Sequence, residues 1–104
     1  MPSSKYTVRL LSIAEQDLAD LVSYVAAENP RAATDVLDHV EARLESLQSH
    51  PFVGRVPHNP KLTALGYRVL VIENYLVFYK VKGNVVLVHR ILHRARDLLR
   101  LMSE

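Results

Sequence analysis

Cysteine and tryptophan are absent from this chain of 104 residues, and glycine occurs only three times. Without a thiol there is no disulfide scaffold, no cysteine zinc site and no thiol nucleophile. No Gly-rich phosphate loop and no metal motif interrupts the sequence, so no cofactor is expected. The longest apolar runs, such as Val69-Leu70-Val71-Ile72, fall far short of the ~20 residues that cross a bilayer. Met1-Pro2-Ser3-Ser4-Lys5 leads into neither a long apolar core nor a small-residue cleavage pattern, so it does not read as a signal peptide. The expectation is a soluble cytoplasmic protein with no membrane partner.

What is present is a balanced composition, 49% apolar and 23% charged in 11.8 kDa. That balance suits one globular domain over residues 1–104, able to bury roughly two-thirds of its unfolded surface. The net charge of +2 hides an asymmetry. Residues 1–52 hold four Lys and Arg against eight carboxylates, a net of −4, and residues 53–104 hold nine against three, a net of +6. A basic half creates a local positive field, suited to phosphate backbones or an acidic protein.

Residues 5–11 read as a short strand with Tyr6, Val8 and Leu10 on one side. Ser12 with Glu15 has the form of a capping box opening a helix over 13–28, whose apolar stripe is Ala14, Leu18, Leu21 and Val25. Asn29-Pro30 ends it and starts a second helix striped by Ala33, Leu37, Val40, Leu44 and Leu47. So short a connection predicts an antiparallel helical hairpin. Residues 48–66, punctuated by Pro51, Gly54, Pro57, Pro60 and Gly66, predict a long irregular loop. Strands over 67–72, 75–81 and 85–92 follow, joined by tight turns at Glu73-Asn74 and Lys82-Gly83-Asn84. The tail from about Arg94 to Met102 is helix-compatible, with Leu98, Leu101 and Met102 on one side. The predicted fold is a two-layer α+β domain, β-α-α-β-β-β. Its antiparallel sheet takes the first strand at an edge or in the middle, carries a helical hairpin on one face, and is followed by a short C-terminal helical tail.

The last strands are too apolar for a sheet covered on one side only. Tyr67, Val69 and Val71 alternate with Arg68, Leu70 and Ile72, and in 85–92 only His89 and Arg90 intrude, on opposite faces. Two helices cover one face, so a partly apolar, arginine-studded face is predicted to stand open for a partner. His89 and His93 lie four apart, a helical spacing in a strand-like segment with no third ligand, and make no zinc site. His39 lies off the stripe and reads as solvated. Tyr75 and Tyr79 share one strand face, for packing or for stacking on bases.

Several short segments, in order, resemble the RelE/ParE superfamily of toxins from bacterial type II toxin–antitoxin systems. They are 14–18 (AEQDL), 29–33 (NPRAA), His50-Pro51 with Gly54-Arg55, 67–71 (YRVLV), 74–79 (NYLVFY) and 88–97 (VHRILHRARD). The resemblance covers roughly residues 6–100. It implies a toxin kept silent by a cognate antitoxin that wraps the surface with an extended segment, as a homodimer or in a heterotetramer.

The stretch Ile91–Asp97 and the acidic first helix are more similar to the ParE branch, which implies a gyrase inhibitor without a recognised nuclease site. The alternative is a RelE-like endoribonuclease cutting message on the ribosome. That chemistry needs a base, an acid and fixed positive charge on the phosphate. Arg68, His93 and Arg94 match that branch's phosphate-binding and strand-end positions, with His50 or His58 as substitutes for its missing groups. The chain departs from the branch in having no tyrosine after Tyr79 and only Lys61 as a lysine between 51 and 66. A non-toxic interaction module is the third reading. The residues expected to meet a partner are Arg68, Leu70, Tyr75, Tyr79, Arg90, Leu92, Arg94, Arg96, Leu98 and Leu101.

Overall fold

The apolar stripes and Asn-Pro signal produce two 17-residue helices in the computed structural model, which describes residues 5–97. Strand β1 (Thr7–Leu10) leads into helix α1 (Ser12–Glu28). The expected capping box does not form. Leu11 is the cap residue and makes no side-chain cap bond, because the helix already includes Ser12. The second start behaves as read. Asn29 accepts a hydrogen bond from the Ala32 amide at 3.1 Å, and Pro30 opens helix α2 (Pro30–Ser46).

The long connection holds an element that its prolines concealed, helix α3 (Pro60–Ala64). Asn59 caps it by accepting from the Lys61 and Leu62 amides, and Pro60 takes a first-turn position that needs no N–H. A proline read as a breaker is here a starter. Strands β2 (Arg68–Ile72), β3 (Tyr75–Lys82) and β4 (Val85–His93) complete the sheet. Glu73 turns the chain between the first two with φ +53°, and Gly83 between the next two with φ +59°.

The sheet order is β1-β4-β3-β2. The hairpin strands pair antiparallel, while β1 takes an edge and runs parallel to β4, from Thr7 opposite Val85 to Leu10 opposite Val88. The helical hairpin covers one face. Ala14, Leu21, Val40, Leu44 and Leu47 meet Leu70, Ile72, Tyr75, Val77, Tyr79, Val86, Val88 and Ile91 there. Each fully buried aliphatic side chain contributes about 1.5–3 kcal/mol.

Strand β4 breaks the expected alternation. Val88 and Ile91 both face the core, because the register shifts between Phe78 and Tyr79: Phe78 pairs with Arg90, Tyr79 with Val88, and His89 is the extra residue of a bulge. Past Val88 the strand also loses its neighbour, since the last bond to the β1 side runs from the Leu11 amide to the Val88 carbonyl. Asp17 fills that place. Its carboxylate accepts from the Ile91 amide at 3.0 Å and grips Arg90 through Nε at 2.7 Å and Nη2 at 3.1 Å. The hydrogen bonds that Arg90 donates to Asp17 raise its pKa, against the opposing effect of burial. Asp17→Asn retains an acceptor but loses the charge. We expect a loss of about 1 kcal/mol, read as a lower urea midpoint at constant slope.

Candidate functional site

The face of the sheet away from the helices is not bare, contrary to the sequence expectation. Residues 55–62 lie across it, tied to β2 by a two-way backbone bridge between Arg55 and Val69, both bonds 2.8 Å. The segment is braced internally as well. Thr63 Oγ1 donates to the Pro57 carbonyl at 2.7 Å, and the Tyr67 amide returns to the Leu62 carbonyl.

This roof is partial and leaves two clefts. The first, about 350 Å³, has Val69, Val71, Leu76 and Phe78 of the sheet facing Val56, Pro57 and Leu62, with Arg55, His58 and Arg94 also lining it. The second, about 190 Å³, lies among Leu62, Tyr67, Phe78, His89, Arg90 and Leu92. Leu62 and Phe78 belong to both, so the clefts are neighbours. No carboxylate lines either one. An apolar surface whose only charged side chains are arginines suits an apolar segment that carries carboxylates.

The predicted partner residues divide by what already holds them. Arg94 and Leu92 line the clefts, and the Arg94 side chain has no bonded partner among the described residues. Arg90 reaches the second cleft but is paired with Asp17. Arg96 is paired with Asp97 and stacks over the ring of Tyr24 at 5.5 Å. Leu70, Tyr75 and Tyr79 are corrections, for they are 3%, 7% and 0% exposed, beneath the helices, and face the core rather than a partner. Leu98 and Leu101 lie outside the described residues.

The nuclease candidates are likewise engaged. Arg68 Nη1 donates to the carbonyls of Phe52 at 3.2 Å and Gly54 at 3.0 Å, and its guanidinium lies over the Phe52 ring. It fastens the start of the long connection. His93 caps the helical turn at residues 94–97, its Nδ1 accepting from the Arg96 amide at 3.1 Å while Asp97 accepts from the His93 amide at 2.6 Å. The two bonds satisfy the start of the turn much as a capping box does, with imidazole in the serine's place and the returning carboxylate four residues on instead of three. Arg68, His93 and Arg94 therefore do not converge in one cleft, since only Arg94 lines one. His58 lines the first cleft and His50 lines neither. His39 is exposed and bonds Glu73 through Nδ1 at 3.0 Å.

Sequence reasoning passed over Leu62, Tyr67, Leu76, Phe78 and His89 as site residues. Tyr67 and His89 meet edge to face, with the tyrosine Oη 3.2 Å from Nδ1, and the Lys80 ammonium lies 4.5 Å above the Tyr67 ring. His89 Nε2 is shielded and has no partner among the described residues. Burial first, and the Lys80 charge second, lower the pKa of His89. Between that lowered value and the ordinary ~6.5 the unfolded chain binds a proton that the folded chain does not, so stability rises with pH there. We expect this contribution to be intact above about pH 6.5 and to fade as the pH falls through the folded value. Urea midpoints from pH 7.5 to 5 should fall less for His89→Phe than for the parent.

A family profile for the ParE toxin of the type II toxin–antitoxin system, parDE, matches residues 8–98. A chain of the chromosomal ParDE TA system from P. aeruginosa superposes with a TM-score of 0.72 at 21% identity, over 88% of this chain and 98% of that one. A chain of the toxin–antitoxin complex RelBE2 from Mycobacterium tuberculosis superposes with a TM-score of 0.61 at 26% identity, over 86% and 99%. No curated protein matches the sequence at a significant level.

Proposed function

Since the chain belongs to the ParE toxin family of type II toxin–antitoxin systems, on a match over residues 8–98, we propose that it inhibits DNA gyrase and that a cognate antitoxin silences it. The antitoxin contributes an apolar segment bearing carboxylates, which seats in the cleft beneath residues 55–62. The cleft's composition, greasy on its floor with Arg55 and Arg94 and no carboxylate on its walls, supports that seat.

One observation favours gyrase over message as the target. Arg68 and His93, which an endoribonuclease would need free for phosphate and proton, hold the chain's own backbone instead. A guanidinium bound to two carbonyls and an imidazole capping a helix have to give up those bonds before they serve a reaction.

The test is a supercoiling assay with purified gyrase and the purified chain. Loss of supercoiling at micromolar chain, restored by the antitoxin, with message on ribosomes left intact, is the expected result. Undisturbed supercoiling would reject the gyrase reading. Message cleavage that disappears in Arg68→Ala would replace it with the endoribonuclease reading. Normal growth on expression of the chain alone would favour an interaction module.

A further inference from the structure

The segment that roofs the sheet is fastened differently at its two ends. At Arg55 two backbone bonds join it to Val69 of β2. From Val56 to Gly66 no backbone hydrogen bond crosses to the sheet among the described residues, and the bonds there stay within the segment. Helix α3 buries no residue. This end is held by Leu62, which lines both clefts, and by one side-chain cluster at Tyr67. The Tyr67 ring meets His89 of β4 edge to face with centroids 5.0 Å apart, its Oη lies 3.2 Å from Nδ1, and the Lys80 ammonium of β3 sits over its face. Just before it, Gly66 turns the chain with φ +88°, a left-handed conformation that glycine adopts freely. A segment with little burial and no ladder bonds opens more readily than the sheet beneath it.

His89 makes that fastening sensitive to protons. Tyr67 satisfies one ring nitrogen, while Nε2 is shielded and has no partner among the described residues. A neutral ring leaves one group unmet in either tautomer. A second proton makes both nitrogens donors, and the charged ring then holds a donor with neither water nor acceptor. The charges around it offer no relief. Lys80 of β3 and the adjacent Arg90 of β4 are cations, as is Arg9 of β1, which stands opposite Leu87 on the same face. The roofing segment adds only His58, in the other cleft, and the exposed Lys61. Asp17, the carboxylate that reaches this part of β4, is already held by Arg90 and the Ile91 amide. Water is the remaining acceptor, and Leu62 and Tyr67 are the least firmly held groups around the ring. We propose that His89 is a proton-operated latch: on its protonation residues 56–67 lift from the sheet about Gly66, and the two clefts, which share Leu62, merge into one open apolar face. The latch belongs to the isolated chain, so it does not rest on the gyrase or antitoxin reading.

The test is an NMR titration of the full chain from pH 7.5 to 5, with the fluorescence of an apolar dye such as ANS read in parallel. As the His89 ring signals titrate, the contacts between the Tyr67 and His89 rings and between Leu62 and Phe78 should disappear with the same midpoint. Dye fluorescence should rise severalfold as the apolar face opens. Contacts across the sheet between Tyr79 and Val88, which are paired in register, should persist. His89→Phe, which keeps a ring against Tyr67, and His89→Gln, which keeps a polar group, should both stay closed over the whole range. His58→Gln, in the neighbouring cleft, should open as the parent does. Titration of His89 with the Tyr67 and Leu62 contacts intact would overturn the inference. So would a ring still neutral at pH 5, opening that survives in both His89 variants, or loss of the Tyr79–Val88 contacts in step with the others, which is unfolding and not a lift.

Discussion

Gly54→Ala should lower the stability of the chain by about 3 kcal/mol, a fall of roughly 12–24 °C in melting temperature for a domain of this size. A Cβ at Gly54 would lie 2.5 Å from Tyr79 Oη and 2.7 Å from its Cε1. The ring cannot retreat, because Tyr79 is 0% exposed and packed between the helices and the sheet. Either the ring or the loop must move, and a moving loop loses the 2.8 Å bond from the Gly54 amide to the phenol. Burial raises the Tyr79 pKa, while the Gly54 bond and the Arg68 charge oppose that rise. Tyr79→Phe removes the nearest atom of the clash. In the Gly54→Ala background it should therefore cost less than it does in the parent, a coupling that a double-mutant cycle in urea reads directly. Equal costs in both backgrounds would show that the added methyl neither clashes with the phenol nor breaks its bond to the Gly54 amide, and would overturn the prediction. The loss should also reach the site, since Arg55 at the cleft follows directly on Gly54.

That pair shows what the sequence conceals. Gly54 reads as loop punctuation, and no local pattern connects it to a tyrosine 25 residues later. The helical hairpin was legible, because Asn29-Pro30 and two apolar stripes are local signals, and so were the three final strands and their turns. Helix α3 was not. It is five residues long, and Pro60 signals a start or a stop depending on whether the residue before it can cap. The cleft floor could have been read with one more step. A two-residue turn after Ile72 sets Val71 opposite Leu76 and Val69 opposite Phe78, which gathers four apolar side chains on the face away from the helices. The same register puts Leu70 opposite Val77 on the core face, and Tyr75 and Tyr79 follow it inward by alternation. The choice of Leu70, Tyr75 and Tyr79 as partner residues was thus a choice of the wrong face, one residue out of phase. The bulge at His89 lay beyond reach, because nothing in Val88-His89-Arg90-Ile91 announces an extra residue. The two carboxylates that satisfy β4's free amides, Asp17 at Ile91 and Asp97 at His93, become meaningful only once β1 is known to stop at Leu10.

The double reversal Arg55→Glu with Arg94→Glu should weaken the antitoxin by about 100-fold or more, equivalent to ~2.7 kcal/mol. Both side chains are exposed and without bonded partners among the described residues, so the fold should be affected little, within about 0.5 kcal/mol. An acidic segment in the cleft would lose two attractions and meet two like charges. The cost should fall at high salt, because exposed charges are screened within about 10 Å at 0.1 M. Lys82→Glu is the control for net charge. It is exposed at the end of β3, paired with Val85, while Tyr75 at the other end pairs with His93 beside Arg94. Calorimetric titration of antitoxin into parent, double variant and control separates the outcomes. Loss confined to the double variant supports the cleft as the seat. Equal loss in the Lys82 variant would mean that overall charge governs binding, and unaltered affinity in the double variant would move the antitoxin to another face. Arg68→Ala adds a second axis. Its bonds hold Phe52 and Gly54, so it should lower melting temperature, and antitoxin affinity only as far as the loop carrying Arg55 loosens. A variant that melts like the parent but no longer arrests growth would free Arg68 for a reaction at phosphate and reopen the nuclease reading.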